Sequence, residues 1–160
     1  MEKYQVPIMT RISEIVLMQQ PEFHVLTLRK TINFMNDFSD FAEHSYEKIM
    51  KYLESIHVLL GGEPIVCFHN MDFENLDVEV GFPIATLVSE KDDMSVQTIP
   101  SQKVVFAIDL GAYEKQDWEE IFAWIRENGH EMQGKIYLQY LNDPNRPETE
   151  FLTKIIIPVK

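Results

Sequence analysis

Alternating hydrophobic and polar residues predict extended strands along much of the chain. Residues 13–32 alternate on both sides of Pro21, so we expect extended structure before and after this proline. Short apolar or alternating runs between turn residues predict five further strands. Their sequences are "EPIVCFHN", "LDVEVGFPIATLV", "KVVFAIDLG", "KIYLQYLNDP" and "FLTKIIIPVK".

Two segments have the three- and four-residue spacing of apolar positions that is typical of amphipathic helices. The first is "NDFSDFAEHSYEKIMKYLESIHVLLGG", for which Asn36 or Asp37 is the expected N-cap. The second is "DWEEIFAWIRENG", where Asp117 and Glu120 have the spacing of a capping box. The polar segment "EKDDMSVQTIPSQ" separates the two halves of the chain and is predicted to be a linker.

The order strand, helix, strand, strand occurs twice, which indicates a duplicated α+β unit. Counting from Gly62 and Gly134, Val66 corresponds to Leu138 and Phe68 to Tyr140. We expect one domain over residues 1–160, with repeat 1 at about 12–90 and repeat 2 at about 94–160. The strands of both units would form one antiparallel sheet with the two helices packed on one face. The junction between the units would form a cleft, a common location for ligands.

Composition and charge narrow the class of partner. The chain is 45% hydrophobic, enough for a core, and its formal net charge is −12. This field repels phosphate, so we expect no nucleic-acid partner, whereas a cationic small molecule or a basic protein would be attracted. The acidic residues are equally explained as a solvated surface. One cysteine, Cys67, permits no internal disulfide, and no apolar run could span a bilayer, which predicts a cytoplasmic protein without membrane contact.

Several segments, in this order and spacing, resemble the GyrI-like small-molecule-binding domains, also found as effector-binding domains of BmrR-type multidrug-sensing regulators. They are "DVEVGFPI", "IPSQKVVFAIDLGAYEK", "WIRENG", "YLNDP" and "TKIIIPV". The resemblance implies two strand-helix-strand-strand repeats around a pseudo-twofold axis. It also implies an aromatic pocket between sheet and helices for lipophilic, often cationic molecules. The chain leaves no room for a DNA-binding region, so a stand-alone binding protein is expected.

The sequence departs from the family at the residues that would recognise a cation. The family commonly has a pocket glutamate two residues before the tyrosine of "YLNDP", where this chain has Leu138. It often has another glutamate at the position of Lys154, for which Glu79 is the equivalent in the first repeat. The pocket therefore accepts neutral lipophiles or recruits another acid, and Glu79 is the first alternative.

Aromatic residues are the main candidates for contact with a ligand, and each has a plain alternative as a core residue. Tyr140 and Phe68 are equivalent in the two repeats, beside Leu138 and Val66. Further candidates lie near the start of the second helix, and a weaker set lies elsewhere in the chain. Whether Tyr137 or Tyr140 faces the cleft is open, because a shift of one residue in strand register exchanges the two faces. The further candidates are Trp118 and Tyr113 at the helix, Phe41, Tyr46 and Phe106 as the weaker set, and Tyr137 as the alternative to Tyr140.

No residue pattern indicates a cofactor or catalysis. Cys67 and His69 are two apart on one strand, but no further metal ligands have a recognisable spacing, and nothing identifies a base for Cys67. We therefore expect a protein that binds a lipophilic, aromatic molecule, cationic or neutral, without turnover. Two alternatives suggested by family relatives remain. One is a protein-binding role such as gyrase inhibition, and the other is hydrolysis of electrophilic lipophiles, dependent on Tyr140 or Glu79.

Overall fold

The computed structural model describes residues 10–111, 118–143 and 145–160. The first half contains the strands β1 (Thr10–Arg11), β2 (Val16–Gln20), β3 (Phe23–Ile32), β4 (Ile65–Phe68), β5 (Leu76–Ile84) and β6 (Ser95–Ile99), with helix α1 (Phe34–Ser55) between β3 and β4. The second half contains β7 (Gln102–Leu110), helix α2 (Glu119–Glu127), β8 (Ile136–Tyr140), a 3-10 turn (Glu148–Glu150) and β9 (Leu152–Pro158).

The strands form one antiparallel sheet, which confirms the predicted α+β fold. Their order is β1-β7-β9-β8-β4-β5-β3-β6, and β2 also pairs with β7. The inner six strands are arranged symmetrically about the β8–β4 contact. Val66 and Leu138, the residues equated by counting along the sequence, are direct Cα partners across that contact. The pseudo-twofold axis therefore passes through this pair.

Both helices pack on one face of the sheet, and strand alternation decides which residues meet them. Val66, Val78, Val80, Leu138 and Ile155 point toward the helices and are fully or almost fully buried. This face also contacts Phe38 of α1 and Ile121 of α2 within the same core cluster. Neither helix in the described part of the chain combines the length and apolar character needed to cross a bilayer.

Helix α1 begins earlier than predicted. Its N-cap is Asn33 rather than Asn36 or Asp37, and the Asn33 side chain accepts a hydrogen bond from the Asn36 N–H at 3.1 Å. A reciprocal hydrogen bond completes the cap, because the Asp37 carboxylate accepts a hydrogen bond from the Asn33 N–H at 3.1 Å. A packing contact accounts for this boundary. The Phe34 ring stacks on Phe38 at a centroid distance of 5.0 Å, and this contact stabilises residue 34 in the first helical turn.

Helix α2 begins at Glu119, with Trp118 as its N-cap. The predicted capping box included Asp117, which lies outside the described residues. The Trp118 side chain makes no capping hydrogen bond, so Glu119 and Glu120 in the first turn are the side chains that complement the helix dipole.

The predicted linker was wrong, because it contains strand β6. Five residues of β6 pair with β3 from Phe23–Ile99 to Thr27–Ser95. Strand β6 lies at the edge of the sheet and its residues are largely polar and partly exposed, so its sequence lacks a clear apolar alternation.

The sheet curls away from the helices. Strands β6 and β7 lie near opposite ends of the strand order, yet only Pro100 and Ser101 connect them. Residues from both ends consequently meet on the concave face, where Val25 and Ile99 share a buried cluster with Val104 and Ile156. The domain therefore has two apolar layers, one under the helices and one inside the curled sheet.

Candidate ligand-binding site

A cleft opens on the helix face, between α1 and the segment that joins β8 to β9. Its volume is about 480 Å³, within the usual range for small-molecule sites. Helix α1 belongs to the first repeat and the β8–β9 segment to the second, so both repeats contribute to its walls. The lining residues are Phe38, Ser39, Ala42, Glu43, Tyr46, Pro64, Tyr140, Asn142, Asn145, Phe151, Leu152 and Thr153.

The aromatic walls of this cleft are held by neighbouring elements. The Tyr46 hydroxyl donates to the Ile65 carbonyl at 3.3 Å, and its ring packs edge-on against Phe82 with centroids 5.1 Å apart. Tyr140 is opposite Thr153 in the β8–β9 ladder. The structure thus brings together Tyr46 and Tyr140, two of the residues singled out in the sequence.

Four other candidates are packed beneath the helices rather than along the cleft. Val66, Phe68, Leu138 and Trp118 are at most 7% exposed, and the Phe68 and Trp118 ring centroids are 5.9 Å apart. They form the closed layer between the sheet and α2. Phe41 lies on the far side of α1 from the cleft, in a shallow groove with Ser45 and Lys48. Tyr113 lies outside the described residues.

Glu79, Tyr137 and Phe106 lie on the concave face, on the other side of the sheet from the cleft. Val78 and Val80 point to the helices, so Glu79 between them points away. Of the two tyrosines left open by the sequence, Tyr140 lines the cleft and Tyr137 is buried in the concave face. Glu79 therefore does not supply the acid that Leu138 lacks, since the sheet separates the two side chains.

The helix face has a buried acid that the sequence analysis missed. Asp109 of β7 is 3% exposed and is the Cα partner of Thr153, which is itself the partner of Tyr140. Burial raises the pKa of Asp109 to about 6; the Arg11 guanidinium opposes this shift and Glu120 adds to it. The signal was present in "VVFAIDL", where Asp109 has the same parity as the core residues Val105 and Ala107.

The raised pKa of Asp109 predicts an unusual pH dependence. Because the folded carboxyl binds its proton more tightly than the unfolded one, stability falls as pH rises from about 4 to about 6. We expect Asp109→Asn to remove this dependence and to raise the free energy of unfolding at pH 7 by about 2–3 kcal/mol. Denaturant unfolding between pH 4 and 7 measures it. Asp143→Asn, at an exposed position, is the matched control and should change stability little; equal effects of both changes would contradict the assignment.

Polar groups at the end of the cleft give it limited hydrogen-bonding capacity. Thr153 is fully buried, and its Oγ1 has no hydrogen-bond partner among the described residues. Asn142 shapes the neighbouring loop, because its amide donates to the Glu150 carbonyl at 2.7 Å and its oxygen accepts from the Leu152 N–H at 3.0 Å. A ligand in the cleft would thus contact mainly aromatic and aliphatic surface, and the Thr153 hydroxyl could form a hydrogen bond with it.

The described residues offer little for metal binding or nucleophilic chemistry. Within these ranges, no three His, Cys, Asp or Glu side chains are arranged to hold a metal ion. Burial and the nearby Glu79 carboxylate raise the pKa of Cys67 to about 12, so its thiol stays protonated at neutral pH.

Comparison with known proteins identifies a family and a fold. The model of the GyrI-like small molecule binding domain matches residues 13–160. The C-terminal domain of EcmrR is 18% identical with a TM-score of 0.81, covering 93% of this chain and 98% of that one. EcmrR in its complex with DNA matches with 19% identity and a TM-score of 0.81 over 93% of this chain, which spans 58% of that longer protein.

A ligand-bound neighbour has the same fold. SAV2435, solved with tetraphenylphosphonium, is 17% identical with a TM-score of 0.59, covering 92% of this chain and 94% of that one. A search of curated proteins found no match.

Proposed function

Because this chain belongs to the GyrI-like small-molecule-binding family, we propose that it binds a flat lipophilic molecule in the cleft between α1 and the β8–β9 segment. The observation that carries this proposal is the cleft itself: about 480 Å³ with Tyr46, Tyr140 and Phe151 along its walls. Aromatic rings supply large apolar contact area and favour stacked or edge-on contacts with a flat ligand. That SAV2435 was solved with tetraphenylphosphonium supports a lipophilic ligand.

The charges around the cleft favour a weak preference for cations. Glu43 is the charged side chain among the described lining residues, and it is exposed on α1. An exposed carboxylate attracts a cation modestly and is screened by salt. Asp109 is buried one strand beyond Thr153, with a pKa that leaves it largely ionised at pH 7. Leu138 contributes no charge, so a neutral lipophile is accepted as well.

A fluorescence titration with a cationic and a neutral aromatic dye of similar size tests the proposal. Ser39 lines the cleft from an exposed position on α1, so Ser39→Trp should fill the cleft without disturbing the core. We expect it to weaken the binding of both dyes by more than about tenfold, or ~1.4 kcal/mol. Ser55→Trp, at the exposed end of the same helix, is the matched control and should bind like the wild type.

The role of charge is tested in the same titration. Glu43→Gln should reduce the preference for the cationic dye at low salt and leave neutral-dye binding unchanged. Unchanged binding of both dyes by Ser39→Trp would show that the ligand lies elsewhere. If the wild type binds neither dye, the protein-partner alternative, with gyrase or another basic surface, becomes the better hypothesis.

Hydrolysis is the less supported alternative. It was expected to depend on Tyr140 or Glu79, and these residues lie on opposite faces of the sheet. A reaction centre would need an acid–base group within reach of the bound molecule. On the face of the sheet that carries Tyr140, the acids available for that role are Asp109 and Glu43 rather than Glu79.

A further inference from the structure

The interior of the curled sheet contains a second cavity, on the opposite side of the sheet from the cleft. Its volume is about 330 Å³, and strands from both ends of the sheet enclose it. An apolar floor is formed by Val25, Ile65, Ile99 and Tyr137, which are at most 8% exposed. This volume lies at the lower end of the usual range for small-molecule sites.

Most charged groups in this cavity are already matched by neighbours. Glu79 Oε1 lies 2.8 Å from His69 Nε2, and Glu79 Oε2 accepts from the Thr27 hydroxyl at 2.5 Å. Burial alone would raise the pKa of Glu79, but these hydrogen bonds and the charges of His69 and Arg29 lower it, so the carboxylate stays ionised. Arg29 is held by two hydrogen bonds to Asp77, at 2.8 and 2.7 Å.

Lys135 is the charged group of this cavity that lacks a counterion. It lies immediately before β8, lines the cavity and makes no salt bridge with any described residue. Lys135 is exposed to solvent while lining the cavity, and its positive charge opposes the rise that burial causes in the pKa of the Cys67 thiol. Glu79 is paired with His69 and Arg29 with Asp77, so Lys135 is the charged lining residue left without an ion pair among the described residues, in a chain of net charge −12.

The two cavities therefore have opposite charge character. The helix-face cleft has Glu43 as its charged lining residue, whereas the interior cavity has an uncompensated lysine above an apolar floor. We propose that the interior of the curled sheet is a second binding site, for a small amphiphile with an anionic head group. The carboxylate of an acyl chain would lie at Lys135, and the chain would extend over Ile65, Val25 and Ile99.

Calorimetric titration with octanoate tests this proposal, because octanoate has ten non-hydrogen atoms and one carboxylate. We expect saturable binding of octanoate and weaker binding of octylammonium. Lys135→Met should weaken octanoate binding about fivefold, the upper range for an exposed charge pair. Lys135→Arg should retain most of the affinity. Lys103→Met makes the same charge change at an exposed residue outside both cavities and should leave the affinity unchanged.

The location is tested by intermolecular nuclear Overhauser effects between octanoate methylene protons and protein methyl groups. Contacts to Ile65, Val25 and Ile99 are expected. Contacts to Ala42 and Leu152 instead would place octanoate in the helix-face cleft and overturn the proposal. So would the absence of binding, or equal losses of affinity in Lys135→Met and Lys103→Met. These readouts are independent of the dye titration, since they report on the other face of the sheet.

Discussion

Leu138→Glu is expected to lower the free energy of unfolding by about 3–5 kcal/mol at neutral pH, because it places an unpaired carboxylate in an apolar layer. Leu138 is 1% exposed and is packed with Val66, Phe68 and Ile155 under the helices. The change introduces the glutamate that the resemblance implied for this position, into surroundings that are closed to solvent here.

The loss should depend on pH in a defined direction. Burial raises the pKa of the introduced carboxyl above its unfolded value of about 4.3, so the folded state retains the proton more readily. The variant should therefore be least destabilised near pH 4, where the buried carboxyl is neutral but still unpaired, and should lose further stability as pH rises above that value. Denaturant unfolding at pH 4, 6 and 8 measures this effect.

Leu138→Met is the control for packing, since a volume-conserving change costs less than about 1.5 kcal/mol at any of these pH values. A Leu138→Glu variant no less stable than Leu138→Met at pH 8 would contradict the closed layer. A further outcome bears on function: a cationic dye that stabilises the glutamate variant more than the wild type would indicate that the cleft can extend to the axis.

Gly81→Ala is the second change expected to have a large effect. Gly81 lies in β5 between Thr27 of β3 and Ile65 of β4, its Cα partners. A Cβ added at this position would be 2.0 Å from the Leu26 carbonyl oxygen and 2.9 Å from the Thr27 Cα. These are backbone atoms of β3, which is paired on both sides, so the ladder itself must shift. We expect a loss of about 3 kcal/mol or more in the free energy of unfolding.

Gly129→Ala separates this steric effect from the ordinary effect of losing a glycine. Gly129 has a φ of 76° after α2, and an added Cβ would meet nothing within 4 Å. Alanine there should cost about 1–2 kcal/mol through backbone conformation alone. Urea unfolding of both variants gives the comparison, and a Gly81→Ala variant no less stable than Gly129→Ala would contradict the close approach of β3 and β5.

The fold was predictable because alternation and duplication agree in this sequence. Ile136, Leu138 and Tyr140 share a face, as their spacing in "KIYLQY" predicts, and Tyr137 takes the other. The start of α1 was less predictable, since Asn33, Asn36 and Asp37 can all cap a helix. The choice depends on Phe34 reaching Phe38, a packing contact that local spacing does not contain.

The candidate site was predictable only in part, because the residues singled out in the sequence lie on both faces of the sheet and the cleft lies on one. Lys154 pairs with Gln139, next to Leu138, and therefore lies on the face opposite to Leu138. Glu79, equated with Lys154 by the repeat, is on that same face, and strand parity alone could have excluded it from the cleft. The curl that creates the interior cavity follows from the pairing of β6 and the short connection to β7, which no single segment specifies.

The contact between Val66 and Leu138 has a consequence for how a duplicated domain can change. In a symmetric dimer, a residue on the twofold axis contacts the same residue of the other subunit, so a single mutation always changes both residues of the pair. In a fused chain the two positions are encoded separately, and one can become polar while the other stays apolar. A single carboxylate at such an axis avoids the electrostatic repulsion that two neighbouring carboxylates would have there. Fusion thus permits an asymmetric centre, and the Val66–Leu138 pair is the place where this chain has kept its centre entirely hydrocarbon.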